Sequence, residues 1–281
     1  MPDRPVAIVA DSTLDIPAAL ALERGITVVP LDVHFGDETL LDGVEISSAA
    51  FLDRLATSPE LPRTSQPPPA RFEDAFRAAT AAGNDVLCVT VSAELSGTGN
   101  SARLAAEAFD PGRVRVVDSR SVSIGGGFIA IAAARAAREG ASLAELVALA
   151  ESMPARTSLY AALDTLEYLQ KGGRIGRASA LLGSLLSIKP IVQVRDGQVQ
   201  PVERVRTWRR ALDRLGMLAE EQAPFACAGV MHTANRPDAE RLAERIAPLV
   251  PSGEIVFGEL GPVVATYGGP GLVGFVVVTP A

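Results

Sequence analysis

The chain has 281 residues, 48% of them hydrophobic and 21% charged, which suits one large domain or two of ordinary size with packed cores. A formal net charge of −7 with scattered Lys and Arg excludes nucleic acid or an anionic membrane surface as the main partner. The opening "MPDRPVAIVADST" carries no charged-then-apolar signal, and no stretch approaches the roughly 18 uninterrupted apolar residues of a membrane span, so a cytoplasmic protein without membrane insertion is expected.

Short β-branched runs alternate with alanine-rich amphipathic stretches, the pattern of a mainly parallel sheet covered by helices. "VAIVADST" reads as the first strand and "IPAALALERG" as a helix, with Asp15 as its N-cap, Pro17 in its first turn and Gly25 at its end. "ITVVPLDVHF" reads as a second strand, and Ser47 or Ser48 can cap "AAFLDRLAT". The proline-stiffened "PRTSQPPP" runs into a helix that closes at Gly83. "DVLCVTVS" is a buried strand by its length and β-branched content, "VRVVDS" is another, and a helix covers Ile124 to Glu139 before Gly140. Ser142 and Glu145 have capping-box spacing for the next helix. Residues 1–156 therefore read as one α/β layer domain.

The second half, residues 157–281, has a different texture. "SLYAALDTLEYLQKGGRIGRASALLGSLLSIKPIVQV" moves from strand to helix, then through a glycine-broken basic turn to an apolar helix. "IVQVRDGQVQPVERV" has the arms and turn of a β-hairpin around Asp196 and Gly197. The helix "WRRALDRLGMLAEE" leads to the strand "FACAGVMHT", and Asn235 or Thr233 can cap "RPDAERLAERIAPL". "EIVFGEL" and "LVGFVVVTP" supply the last strands. The expected fold is two α/β domains, the first with a mainly parallel sheet and the second with a mixed one, packed closely because no low-complexity linker separates them.

Candidate chemistry centres on "SAELSGTGNSA". Gly97, Gly99 and Ala102 satisfy the G-x-G-x-x-G/A spacing of a dinucleotide turn, and Asp118 ends the following strand where a ribose-binding acid would stand. Against an oxidoreductase of that kind, "SAELS" intervenes between Val91 and Gly97, which widens the loop. The loop also suits a small anion, because a helix N-terminus offers unpaired N–H groups while Ser96 and Thr98 add hydroxyls. Either hydroxyl can instead simply cap its own helix. A hydrolase is disfavoured: no G-x-S-x-G elbow exists, and Ser96 has no sequence-evident base. Cys88 and Cys227 read as small buried hydrophobes, His34 and His232 as surface or satisfied histidines without metal-ligand spacing. Asp11, Asp42 and Asp118 stand at strand ends and read as turn and scaffold residues.

Eight segments in order, "VADSTLDIP", "FGDETLLDGVEIS", "RTSQPPPARF", "SAELSGTGNSA", "VVDSRSVSIGGG", "LEYLQKGGRIG", "LLSIKPIV" and "GPVVATYGGPGLVGF", resemble the DegV family of bacterial fatty-acid-binding proteins over nearly the whole chain. The resemblance implies a long-chain fatty acid such as palmitate held between two α/β domains. It also implies no catalysis by the chain itself, which would carry the acid to a separate ATP-dependent fatty acid kinase for acyl phosphate formation. It implies a carboxylate cradle of Thr64, Ser65, Ser96 and Gly97, with Arg174 of "KGGRI" as a cation near the head group and Thr266 and Tyr267 beside it. Tyr267 stands where the family usually has histidine; tyrosine still donates a hydrogen bond but carries no positive charge near neutral pH. Phe128, Leu182, Leu186 and Ile188 are candidates for the wall of an acyl-chain tunnel. No cofactor and no metal are implied.

Overall fold

The computed structural model describes residues 4–181, 188–251 and 255–280. Strand β1 (Val6–Asp11) leads through a 3-10 turn (Ser12–Leu14) to helix α1 (Ala18–Arg24) and strand β2 (Ile26–Val29). Gly25 ends α1 at φ +69°, as its position in the sequence suggests. Asp15 does not cap that helix. The N-cap is Pro17, without a side-chain hydrogen bond, and the Asp15 carboxylate accepts the distant Gly261 N–H instead.

The single strand expected over "ITVVPLDVHF" is two. Pro30 has no N–H to continue the parallel ladder, so β2 stays in the first sheet while β3 (Asp32–Phe35) opens a small antiparallel one. Its partners are β4 (Glu38–Leu41) and β5 (Arg63–Ser65), in the order β4-β3-β5. β5 lies inside the segment read as a proline-rich loop. Helix α2 (Ser48–Thr57) starts at Ser47, whose hydroxyl accepts the Ala50 N–H at 3.3 Å. Then follow α3 (Pro69–Ala81), β6 (Asp85–Thr90), α4 (Thr98–Ala106), β7 (Val114–Asp118), α5 (Ile124–Arg138) and α6 (Leu143–Ser152). The Ser142–Glu145 capping box is present. β2-β1-β6-β7 form a fully parallel sheet. Central strand β6 is buried along both faces, which is why it reads as one continuous apolar run.

The second half supplies β8 (Thr157–Ala162), α7 (Glu167–Lys171), β9 (Lys189–Arg195), β10 (Gln198–Val205), α8 (Trp208–Glu220), β11 (Cys227–His232), α9 (Arg236–Ile246), β12 (Ile255–Glu259), α10 (Pro262–Gly268) and β13 (Val273–Val278). They form a six-stranded sheet, β10-β9-β8-β13-β11-β12, in which β11 and β12 pair parallel and the rest antiparallel, so the sheet is mixed. Asp196 and Gly197 both have positive φ, the signature of a two-residue hairpin turn whose twist matches its strands. Asn235 stands at the N-cap of α9 but makes no side-chain cap hydrogen bond: it donates to Gly271 O at 3.2 Å and Thr233 donates to Gly269 O at 2.6 Å, so both tie down the turn after α10.

Helix α5 lies between the two larger sheets. Ile124, Phe128 and Ile129 share one buried cluster with Ile8 and Leu87 of the parallel sheet and Leu159 and Val276 of the mixed one. A smaller cluster joins Leu31, Phe51 and Leu55 to Val263 and Ala265 of α10. The early segment around β3 and α2 is thereby packed on a helix from the far end of the chain.

Candidate functional site

Between the C-terminal ends of the parallel strands and one face of the mixed sheet lies a cavity of about 340 Å³, within the usual range for small-molecule sites. Val91 and Leu95 after β6, Leu159 and Ala161 of β8, Val192 and Val194 of β9, and Val263 and Val264 of α10 are among its walls. These are straight β-branched and leucine side chains without polar atoms, so this part of the cavity can hold only an apolar group.

The polar lining comes from segments far apart in sequence and is joined by direct contacts. Thr64 Oγ1 and the Tyr267 hydroxyl lie 2.6 Å apart, linking β5 to α10. The Arg174 guanidinium sits over the Tyr267 ring, 5.0 Å from its centroid, and donates to Leu95 O at 3.2 Å and Gly172 O at 2.9 Å. Gly172 packs under that ring so closely that a Cβ there would lie 2.6 Å from Tyr267 Cε1. Ser96 follows Leu95; its hydroxyl lies 2.8 Å from Thr98 Oγ1 and accepts the Thr98 N–H at 3.3 Å. Ser96 therefore both takes the first N–H of α4, whose N-cap is Gly97, and lines the cavity. Ser65 also lines it, with its hydroxyl held by His34 Nε2 at 2.9 Å and Asp32 at 3.4 Å.

Thr64, Ser65, Ser96, Arg174 and Tyr267 thus meet at one cavity. Gly97 is outside the lining, and the Gln66 carboxamide fills the place where its side chain would be. Gln66 lines the cavity as well and was missed, although it stands inside the "TSQP" segment two positions after Thr64. Thr266 is turned into its own helix, donating to Pro262 O at 2.8 Å, and lies outside the lining. Phe128 is likewise outside it, packed in the inter-sheet core against Gly229. Ile188 is half-buried ahead of β9 and not part of the wall, whereas Leu182 and Leu186 fall outside the described residues. Lys171 pairs with Glu167 at 2.5 Å, exposed to solvent.

The two features behind the dinucleotide reading have local partners. The Gln66 side chain lies where a Gly97 Cβ would stand, and Asp118 is engaged by the Ala93 N–H at 3.2 Å and the Arg120 N–H at 2.8 Å. Asp118 also stands apart from the other acids. The buried acidic group is Asp11, Asp15 and Asp42, each within electrostatic reach of another. Burial pushes the Asp11 and Asp42 carboxyls up to about 6 and that of Asp15 well above the carboxylate range. His232 is neither at the surface nor satisfied: it is 1% exposed at the end of β11 against Phe257, and neither ring nitrogen is hydrogen-bonded. Burial lowers its pKa. Among the described residues no group of His, Cys, Asp and Glu is arranged to hold a metal ion, and no helix is long and apolar enough to cross a membrane.

The site is a largely apolar cavity with hydroxyls and one guanidinium in its lining, and the comparisons place the chain that carries it in a family. The sequence signature of the DegV family matches residues 5–280, and the chain belongs to this family. A DegV domain-containing protein of Streptomyces coelicolor is 41% identical over 98% of both chains. Protein DegV of Bacillus subtilis is 32% identical over 96% of this chain and 97% of its own. Among solved structures, a fatty-acid-binding DegV family protein from Thermus thermophilus superposes with a TM-score of 0.92 at 33% identity, over 98% of this chain and 100% of that one. DegV of Bacillus subtilis, a fatty acid binding protein, follows with a TM-score of 0.87 at 30% identity, over 99% and 100%.

Proposed function

We propose that this chain binds a long-chain fatty acid, such as palmitate, with the acyl chain in the apolar part of the cavity and the carboxylate at Thr64, Ser65, Ser96, Arg174 and Tyr267. The observation that carries the reading is the meeting of these side chains, contributed by both halves of the sequence, at one cavity whose remaining lining is mostly apolar. Burial of an acyl chain contributes roughly 0.8 kcal/mol per methylene, on the order of 12 kcal/mol gross for about fifteen of them before ordering costs. The head group then needs orientation more than extra affinity. Hydroxyl donors and the Gly97 N–H keep it ionised, and the planar fork of Arg174 suits an oxyanion.

In this reading the halves 1–156 and 157–281 are two lobes around the ligand, and the chain supplies no catalytic group of its own. A separate ATP-dependent fatty acid kinase performs the chemistry: a carboxylate oxygen attacks the γ-phosphorus of ATP, ADP leaves, and an acyl phosphate remains on the carrier. Native mass spectrometry of the purified protein tests the binding step. A mass increment of one long-chain acid, exchangeable for added palmitate, is expected; an empty protein indifferent to palmitate sinks the proposal.

A further inference from the structure

Asp15 and Asp42 do not line the cavity, yet both face the amino end of α10, the helix that carries Tyr267. The Gly261 N–H donates to Asp15 Oδ1 at 2.9 Å, and the Val263 N–H faces the Asp42 carboxylate. Pro262 between them has no N–H, so these two amides are the first donors the helix can offer. The approach is tight: a Cβ on Gly261 would lie 2.9 Å from Asp15 Oδ1 and 3.3 Å from Asp42 Oδ1. Asp42 is itself anchored, since Ser12 donates to its Oδ2 at 2.6 Å while accepting the Leu31 N–H at 3.0 Å.

These are costly residues to keep for stability alone. Asp15 and Asp42 are 9% and 3% exposed, neither has a cation among its neighbours in the described residues, and Asp15 Oδ2 and Asp42 Oδ1 make no hydrogen bond. A carboxyl buried without a cationic partner is a poor stabiliser whether it ionises or takes up a proton, and apolar residues of similar volume serve a fold better. What they do accomplish is local. α10 has only seven residues, and its other end presents a hydroxyl that must meet Thr64 within the narrow span of an O–H···O hydrogen bond. A short helix passes a shift at its first turn directly to its last.

We infer that Asp15 and Asp42 are positioning residues for the head-group end of the cavity: they seat the amino end of α10 and through it hold the Tyr267 hydroxyl against Thr64. The inference rests on the fatty-acid reading in taking Tyr267 as a head-group contact. Asp42→Asn and Asp15→Asn each keep the shape of the side chain but replace an acceptor by a donor.

The test is displacement of a fluorescent fatty-acid probe by palmitate and, in parallel, by hexadecanol, which shares the chain and lacks the carboxylate. Both Asn variants are made with Tyr267 and with Tyr267→Phe, and melting temperatures are taken near neutral pH. Expected is about a tenfold loss of palmitate affinity in each Asn variant, with hexadecanol affinity held to within about twofold and no fall in melting temperature. With Tyr267→Phe in place, the Asn changes cost less than about twofold, because the group they position is gone. An equal loss for palmitate and hexadecanol, a loss that persists beside Tyr267→Phe, or no loss at all overturns the inference. Should Asp42→Asn fail to fold, Asp15→Asn and Gly261→Ala, whose new methyl presses on both carboxylates, read out the same selective loss. Tyr267→Phe binding palmitate as the native protein does removes the head-group role of Tyr267 and the inference with it; a weakened Tyr267→Phe with unaffected Asn variants removes the inference alone.

Discussion

Thr64 meets its partner hydroxyl on Tyr267 across 203 positions of sequence. A carboxylate accepting from that pair loses one donor in Thr64→Ala, and the donors beside it are engaged with partners of their own, Ser65 with His34 and Asp32 and Ser96 with Thr98. We expect Thr64→Ala to weaken palmitate binding by about 1–3 kcal/mol, read by isothermal titration; an unchanged affinity would place the head group elsewhere. Arg174 behaves differently. Its side chain already donates to the Leu95 and Gly172 carbonyls, so under the proposed function it is expected to matter more to the phosphorylated than to the free acid. Arg174→Ala should therefore reduce kinase-dependent acyl phosphate formation more than it reduces palmitate affinity, and a variant whose turnover is intact refutes that role. Thr64, Ser96, Arg174 and Tyr267 were legible because each sits in a short segment with its own signature. Gln66 and Asp15 were not. The first is visible only as the occupant of the space beside Gly97, and the second finds Gly261 only when the chain has folded over 246 positions.

At the scale of elements, periodicity identified the sheets and most of the helices, since apolar runs bounded by glycine and proline report burial directly. It failed where tertiary packing decides. β5 is three residues long and exists because it pairs with β3; α10 is rich in valine and glycine but is helical, with Val263 and Ala265 packed on Phe51. Both elements, the one read as a loop and the one left unassigned, carry candidate site residues, Thr64 and Tyr267. The β9–β10 hairpin shows the opposite case, a local signal that also reaches across the fold. Gly197 O accepts the buried Ser92 hydroxyl at 2.8 Å, and Gln198 donates to Glu94 at 2.7 Å, so the turn grips the loop that ends in Ser96. Gly197 has φ +81°, and a Cβ there would strike Ser92 Oγ. Gly197→Ala should then cost about 1–3 kcal/mol of stability, from the left-handed backbone and the displaced serine together. Chemical denaturation measures it; a loss below a few tenths of a kcal/mol would mean the turn and loop are not engaged in solution.

At the scale of the whole molecule, the buried acids make stability depend on pH in the direction opposite to that of an ion-paired carboxylate. Asp11 ends β1, an interior strand of the parallel sheet, accepting the Thr13 and Val91 N–H groups at 3.0 and 2.7 Å; the Cys88 thiol is pushed up by burial and, further, by that carboxylate. Those hydrogen bonds favour the ionised form of Asp11 but are outweighed by its burial; in Asp42 burial outweighs the Ser12 hydroxyl in the same way. Both carboxyls titrate at about 6 in the folded protein against 3.8 when exposed. Between those values the folded chain binds more protons than the unfolded one, so unfolding free energy falls as pH rises through this window and stays lower above it. Asp15, raised further by burial and by its two acidic neighbours, extends the trend upward. Each of the first two contributes on the order of 2–3 kcal/mol of stability near pH 4 that is gone by neutral pH. His232 opposes this trend, since a buried neutral imidazole is destabilised when acid charges it. The expected outcome is a denaturation midpoint higher near pH 5 than at neutral pH, with the difference reduced in Asp42→Asn, which cannot titrate. A midpoint that climbs steadily from pH 5 to neutral would show that the three carboxylates are hydrated in solution, and that the amino end of α10 is not closed over them.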